Sequence, residues 1–436
     1  MIAPLTSAEA ADPRRFGPKA ANLAALGQAG LPVPDGFCLD ASAYRRQLQA
    51  LGLEPSARLV CSAATTAEAR RHAVRMKLGL MEGPIAPQVL EPLLAAREEL
   101  IGRTRRRVPL AADEPVLLVV RSSALVEDRL GASFAGQFES YLGLETLEDF
   151  LTAVRACWAA LWSTRALRYM ASHGGDPAET AMAVLVQPLV RARASGGGLS
   201  RTADGGMLLS ATWGLGSAIA QGEVTPDRFE LDAGGELVHV AAGYKDHRVG
   251  CIHRREPETE AVPANLVREP CLTCDQAVEL GRLLRRTEEL MERAVEIEWA
   301  LDDEGFKLLQ ARPLHLEGAQ VPDDIWLQHP RLNGHPAGVG WGVGRAVVIN
   351  CECELSRVAP GDVLVTRVAG PALSHVLPRV AAVVTERGGS TSHLASLARE
   401  RGLPMVLGVA DATSRIPDGA QVAVDGVAGI VRWIAR

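Results

Sequence analysis

Apolar positions recur at helical spacing from just after Gly17, with Leu23 and Leu26 on one side, and the pattern stops at Gly30 with Pro32 beyond. Residues 67–103 are helical in composition, with Met76, Leu78, Leu80, Leu93 and Leu94 as candidates for burial. The apolar run "VLLVV" then predicts a buried strand ending at Arg121. Further strands are predicted over Met182–Val190, Met207–Trp213 and Glu236–Ala242, followed by a long helix over Asp275–Ala294 and a final hairpin. From about His315 to Pro336 the periodicity dissolves into prolines, histidines and single apolar residues, which predicts a linker. Beyond it, strands at "RAVVI", "DVLVT" and Val380–Val384 precede a helix whose stripe is Leu394, Leu397, Ala398 and Arg401. A closing β pair at "QVAVDGVAGIVRWI" completes what reads as a small α/β domain.

At 436 residues the chain is too long for one core, so two or three domains are expected. With 47% hydrophobic and 22% charged residues, and mean hydropathy near zero, it has the make-up of an ordinary globular protein. A net charge of −6 argues against nucleic acid and against an anionic membrane as partners. Neither a signal peptide nor an apolar run long enough to span a bilayer is present, so the expected location is cytoplasmic. The eight cysteines are scattered, which suits a reducing compartment. Cys251, His253, Cys271 and Cys274 offer zinc-like ligands, but Thr273 reads as the cap of the helix that follows.

Candidate chemistry begins at "TERGGSTSHLASLARERGLPMVLG". Here His393 stands at a strand-to-helix turn, where free N–H groups and the positive dipole end favour an anion and glycines permit close approach. Two readings stand on these residues: a phosphoryl-carrying histidine, or a helix capped by Thr391 or Ser392 with an incidental histidine. In "EIEWALDDEGFKLLQARP", a hairpin turning at residues 302–305 places Glu298 opposite Gln310 and Glu296 opposite Arg312. That arrangement is either a hard-oxygen site for Mg²⁺ beside a phosphate-binding arginine or a cross-strand salt bridge on a solvent face. Lys19 sits at a helix start after a glycine-proline turn, against the dipole preference, and an anionic ligand would explain it. Arg121 is expected to leave its strand into a loop rich in serine and glycine.

Taken together, "GPKAANLAALGQAGLPVPDGF", "VRSSALVEDRLGASFAGQFESY", "WGLGSAIAQGEVTPDRF" and "EIEWALDDEGFKLLQARPL" resemble the nucleotide-binding domain of the phosphoenolpyruvate synthase and pyruvate phosphate dikinase superfamily, which includes the rifampin phosphotransferases. "GDVLVT" and "VVTERGGSTSHLASLARERGLPMVLGV" resemble its swivelling phosphohistidine domain. The resemblance implies an α/β (α+β) fold: an ATP-grasp domain over residues 1–315, a linker over 316–336 and a phosphohistidine domain over 337–436. By position it implies that Lys19 and Arg121 hold the ATP phosphates, Gly136 and Ser140 belong to the loop covering them, and Gln187 lies beside the adenine. Glu298 and Gln310 would bind Mg²⁺, Arg312 would complete the phosphate clamp, and His393 would receive the phosphoryl group.

The chain departs from the family pattern in four places. Pro18 replaces a glycine before the lysine, Ser140 replaces a threonine, and "ASGGGLSR" replaces a more apolar segment, which implies a different adenine side. The family's unit for the acceptor is not among the segments recognised. The expected activity is an ATP-dependent, dikinase-type phosphotransferase that moves a phosphoryl group through His393 to a small-molecule acceptor, releasing AMP and phosphate. The alternatives are a phosphohistidine-carrying subunit served by a separate acceptor-binding protein, and an ATP-dependent ligase that activates its substrate by phosphorylation.

Overall fold

The computed structural model describes residues 1–434, apart from 64, 109–110, 112–113, 128–137, 139, 173–175, 203–204, 254–255, 315–328 and 369. Contacts group the chain into two compact units, Met1–Arg191 with Cys251–Glu258 and Lys307–Arg312, and Ala192–Gly250 with Thr259–Phe306 and Pro313–Arg436. The second unit therefore combines strands of the expected nucleotide-binding region with the whole of the expected phosphohistidine region.

The first unit is built on an antiparallel sheet with strands in the spatial order Ile2–Pro4, Phe37–Leu39, Met182–Pro188, Leu118–Ala124 and Ser140–Leu144. A helix over Pro13–Gln28 begins with Asp12 as cap, its carboxylate accepting from the Arg14 amide, and with a proline in the first turn. Its turns break at Gly17 (φ 72°) and resume at Pro18. Leu23, fully buried, Phe16 and Ala20 press this helix onto Leu185 and Cys38 of the sheet. Residues 67–103 form two helices, Thr66–Glu82 and Pro87–Arg107, because Pro84 and Pro87 interrupt the run. Met76, Leu80 and Leu93 are buried as expected, whereas Leu78 is 49% exposed, on the opposite face of its helix.

The strand containing Arg121 does not end there. It continues through Ser122 and Ser123 to Ala124, paired over its length with Met182–Pro188. Both serines are buried, and the Ser123 hydroxyl accepts from the Ala20 amide, so these small polar residues serve the sheet instead of opening a loop.

In the second unit, Val295–Asp302, Ala194–Leu199, Met207–Trp213, Asp227–Leu231 and Leu237–Ala241 lie side by side in that order, all antiparallel. The helix Cys274–Met291 covers one face. Thr273 caps it as expected, in a reciprocal box with Gln276. The hairpin strands Val295–Asp302 and Gly305–Pro313 are joined by Asp303 and Glu304, where the sequence marks the turn.

A second, eight-stranded sheet runs Arg331–Asn333, Ile430–Trp433, Gln421–Asp425, Trp341–Ile349, Val363–Thr366, Ala382–Thr385, Met405–Leu407, His335–Pro336. Its core is a valine-rich cluster that includes Val363, Val384, Val406, Val424 and Trp433. Residues 331–336, which read as the end of the linker, therefore hold two short strands, Arg331–Asn333 and His335–Pro336: Leu332 pairs with Val431, and His335 with Leu407. Two- and three-residue strands around a glycine carry no period for a sequence to show. The earlier part of that segment, 316–328, lies outside the described residues.

Among the described residues no group of three or more His, Cys, Asp and Glu side chains is placed to hold a metal ion. No described helix is long and apolar enough to cross a membrane. Cys38, Cys157 and Cys271 are buried thiols, whereas Cys351 and Cys353 form a disulfide, a pairing that scattered cysteines do not predict.

Candidate functional site

Gly17 has a specific reason to be glycine. A Cβ there would stand 2.4 Å from the Ser123 hydroxyl and 2.5 Å from its carbonyl oxygen, in addition to the positive φ. The close approach sets Lys19 at the start of the resumed helix. Its ammonium lies 3.2 Å from Glu127 and 6.0 Å above the Phe138 ring. Glu127, 2% exposed, also accepts from the Ala124 amide, so the lysine's first anion is a carboxylate of its own chain. Sequence reading missed Glu127, although it lies inside "RSSALVED".

Arg121 turns toward residues 309–310: its guanidinium donates to the Leu309 carbonyl and, at 2.6 Å, to the Gln310 amide oxygen. Ser140, exposed, pairs directly with Arg121 on the neighbouring strand. Asn22 donates to the Ala311 carbonyl at 3.0 Å, so the Lys19 helix and the strand carrying Gln310 and Arg312 are tied together. Gln310 and Arg312 are both buried, and strand alternation puts them on one face. Gln187 is buried too and donates to the Pro34 carbonyl at 3.1 Å. The first unit thus gathers Lys19, Arg121, Ser140, Gln187, Gln310 and Arg312; Gly136 lies outside the described residues.

Glu298 and His393 belong to the second unit. Glu298, half-buried, is paired directly with Gly197, and Glu296 with Leu199. Directly opposed residues share a face of the sheet, so Glu296, Glu298 and Gly197 face the same way. The other face, at Gly198 and Ile297, meets Leu284 of the covering helix. What meets the Glu298 face is the His393 segment. A Cβ on Gly197 would lie 2.5 Å from the Thr391 Cβ, so the glycine leaves the notch that this threonine fills. The substituted segment "ASGGGLSR" thus packs, at Gly197, against the His393 loop.

The helix His393–Glu400 begins at the expected place, with Ser392 as its cap accepting from the Ala395 amide. His393 is exposed in its first turn, while Leu394, Leu397 and Ala398 are buried; Arg401, expected in the stripe, is exposed. The loop before it is anchored on both sides. Ser390 donates to the Pro336 carbonyl at 2.5 Å, the Gly388 amide to Val224, and the Arg387 guanidinium to the Glu223 carbonyl at 2.9 Å. Gly389 lies against Pro226. The Thr391 hydroxyl oxygen is buried and has no hydrogen-bond partner among the described residues. An oxygen-rich anion at this turn would supply one.

His335 lies at the base of the same loop, against Gly408. Burial, with the nearby Arg228 charge added, lowers its pKa from 6.5 to about 4. An unfolded chain therefore takes up a proton between those values that the folded one refuses. Stability should fall as pH drops from 6.5 toward 4 and level off below, by about 1–3 kcal/mol. Urea melts of wild type and His335→Gln across that window check it: the variant should show a shallower slope.

One unit thus holds Lys19, Arg121 and Arg312, and the other a helix-start histidine whose segment is seated on an acidic sheet face. Residues 14–328 match the family "Pyruvate phosphate dikinase, AMP/ATP-binding domain", and residues 358–429 match "PEP-utilising enzyme, mobile domain". The chain belongs to the phosphoenolpyruvate synthase and pyruvate phosphate dikinase superfamily. It is 30% identical to the phosphoenolpyruvate synthase of Pyrococcus furiosus over 95% of its own length and 56% of that protein. It is 32% identical to the phosphoenolpyruvate synthase of Aeropyrum pernix over 95% of its length and 56% of that protein. With the phosphoenolpyruvate synthase of Escherichia coli the identity is 30%, over 97% of the chain and 56% of that protein. The chain thus spans a little over half the length of these curated relatives. ATP and Mg²⁺ are the cofactors of this family.

Proposed function

We propose that the chain carries out ATP-dependent phosphoryl transfer of the dikinase type, with His393 as the phosphoryl carrier and a small molecule as the final acceptor. The observation that carries this reading is the seating of the His393 segment, with the partnerless Thr391 hydroxyl, on the sheet face that presents Glu298. A structural helix cap would not require a glycine notch cut for the residue two places before the histidine.

In this reading Lys19, Arg121 and Arg312 hold the phosphates, with Gly136 and Ser140 in the covering segment and Gln187 beside the adenine. Glu298 and Gln310 are the oxygen donors for Mg²⁺, and their chemistry fits a hard cation: one carboxylate and one amide oxygen. When bound, Mg²⁺ supplies charge neutralisation on the phosphate oxygens. His393 attacks as neutral imidazole. A P–O bond of ATP breaks as a P–N bond forms at an imidazole nitrogen, and the phosphoryl group then passes to the acceptor oxygen. With one water entering, the balance gives AMP, phosphate and phosphorylated acceptor. Residues 1–315 form the nucleotide-binding domain in this scheme and 337–436 the phosphohistidine domain, with 331–336 joining the latter as strand.

The test is to incubate purified protein with ATP, Mg²⁺ and candidate acceptors and to follow AMP and phosphate. Release that depends on a small molecule which becomes phosphorylated is the expected result. Turnover only with a second protein present would identify a carrier subunit, and a condensed product would identify a ligase.

A further inference from the structure

Glu296 and Arg399 are each 5% exposed and lie 2.8 Å apart, on different elements: Glu296 on the strand that carries Glu298, Arg399 on the helix that His393 begins. The guanidinium also donates to the Ser390 carbonyl at 2.6 Å and the Ala337 carbonyl at 3.3 Å. The Ser396 hydroxyl donates to both Glu296 oxygens, at 3.1 and 3.2 Å. One arginine therefore ties together the loop before His393, the strand edge beneath that loop, and the acidic sheet face. Breaking a buried pair by removing one partner leaves an uncompensated charge, so the pair makes docking of this segment all-or-none. Its register is strict as well, because the guanidinium divides its donors among Glu296, Ser390 and Ala337, so a shift of the segment breaks them together.

From this we infer that Arg399 and Glu296 are a positioning latch: they set His393 over the Glu298 face in the state in which it is charged, and they part when the segment leaves that face. In this role both act through the placement of the His393 loop. The inference rests on the phosphohistidine reading, and its test separates the two.

Arg399→Ala, Glu296→Gln and the double variant are compared by hydrogen–deuterium exchange and by single-turnover labelling of His393 from ATP, with Mg²⁺ present. Loss of the latch should speed exchange together in residues 389–396 and 195–199, while Val363–Thr366 and Gln421–Asp425 stay protected. Labelling should slow by on the order of tenfold at unchanged ATP affinity, and the double variant should be no slower than either single one. Arg399→Lys should recover part of the rate. Slow labelling with all strands equally deprotected would mean a merely structural pair and overturn the latch. So would unchanged exchange at 389–396, or additive effects. If Arg399→Ala loses the protected strands altogether, the isosteric Glu296→Gln decides. Absence of phosphate on wild-type His393 would sink the phosphohistidine reading, and the exchange pattern alone would then decide whether the two residues couple docking.

Discussion

Replacing His393 by alanine should abolish phosphorylation of the acceptor while leaving ATP binding intact. The histidine is exposed in the first turn of its helix, whereas the core cluster of its sheet is formed by apolar residues such as Val363, Val384 and Trp433. Its loss should therefore cost little stability: the substitution leaves in place the Ser392 cap that starts the helix and the docking contacts of Arg387, Ser390 and Arg399. The proposed phosphate ligands Lys19, Arg121 and Arg312 lie in the other compact unit, so nucleotide affinity should persist. Acid-labile, base-stable phosphate, detectable by mass spectrometry on a peptide spanning residue 393, should be present on wild type and missing from His393→Ala. A variant that still phosphorylates its acceptor at the wild-type rate would refute the carrier role and restore the incidental-histidine reading.

Much of this site is legible in the sequence because it is local. The Gly17-Pro18 turn, the helix resuming at Lys19, the Thr273 cap and the helix starting at His393 each depend on a few neighbouring residues with strong conformational preferences. The illegible parts are long-range. Nothing within "VRSSA" says that Ser123 will cap a helix 103 positions earlier in the chain, so a serine-rich stretch reads as loop when it is buried strand. Lys19 calls for an anion, but sequence alone cannot say that Glu127 stands beside it before any nucleotide does. Glu296 illustrates the same limit. Period-two alternation correctly puts it on the face of Glu298, but it cannot say that Arg399, from a helix over a hundred positions later, pairs with it. The glycine run at 196–198 looks like a weak strand and becomes intelligible only once Ser210, Thr391 and Leu284 are seen where side chains would have been.

Glu298→Ala should reduce ATP turnover by roughly two to three orders of magnitude, with a melting temperature close to that of wild type. The carboxylate is half-buried on a face where its directly paired neighbour is glycine, so removing it empties little packed volume. Trp299 and Ile297, its neighbours along the strand, are fully buried on the opposite face and should hold the strand in place. The catalytic cost is of another kind. Phosphoryl transfer depends on neutralising charge on the phosphate oxygens, and a lost metal-binding carboxylate leaves that charge uncompensated in the transition state. Glu298→Gln separates the contributions: it keeps volume and an oxygen donor but loses the charge, so it should retain more Mg²⁺-dependent turnover than alanine and far less than wild type. Raising Mg²⁺ should recover part of the glutamine variant's rate and little of the alanine variant's. Equal turnover in all three proteins would mean that Glu298 is an ordinary polar residue of the sheet face and that the cation is held elsewhere.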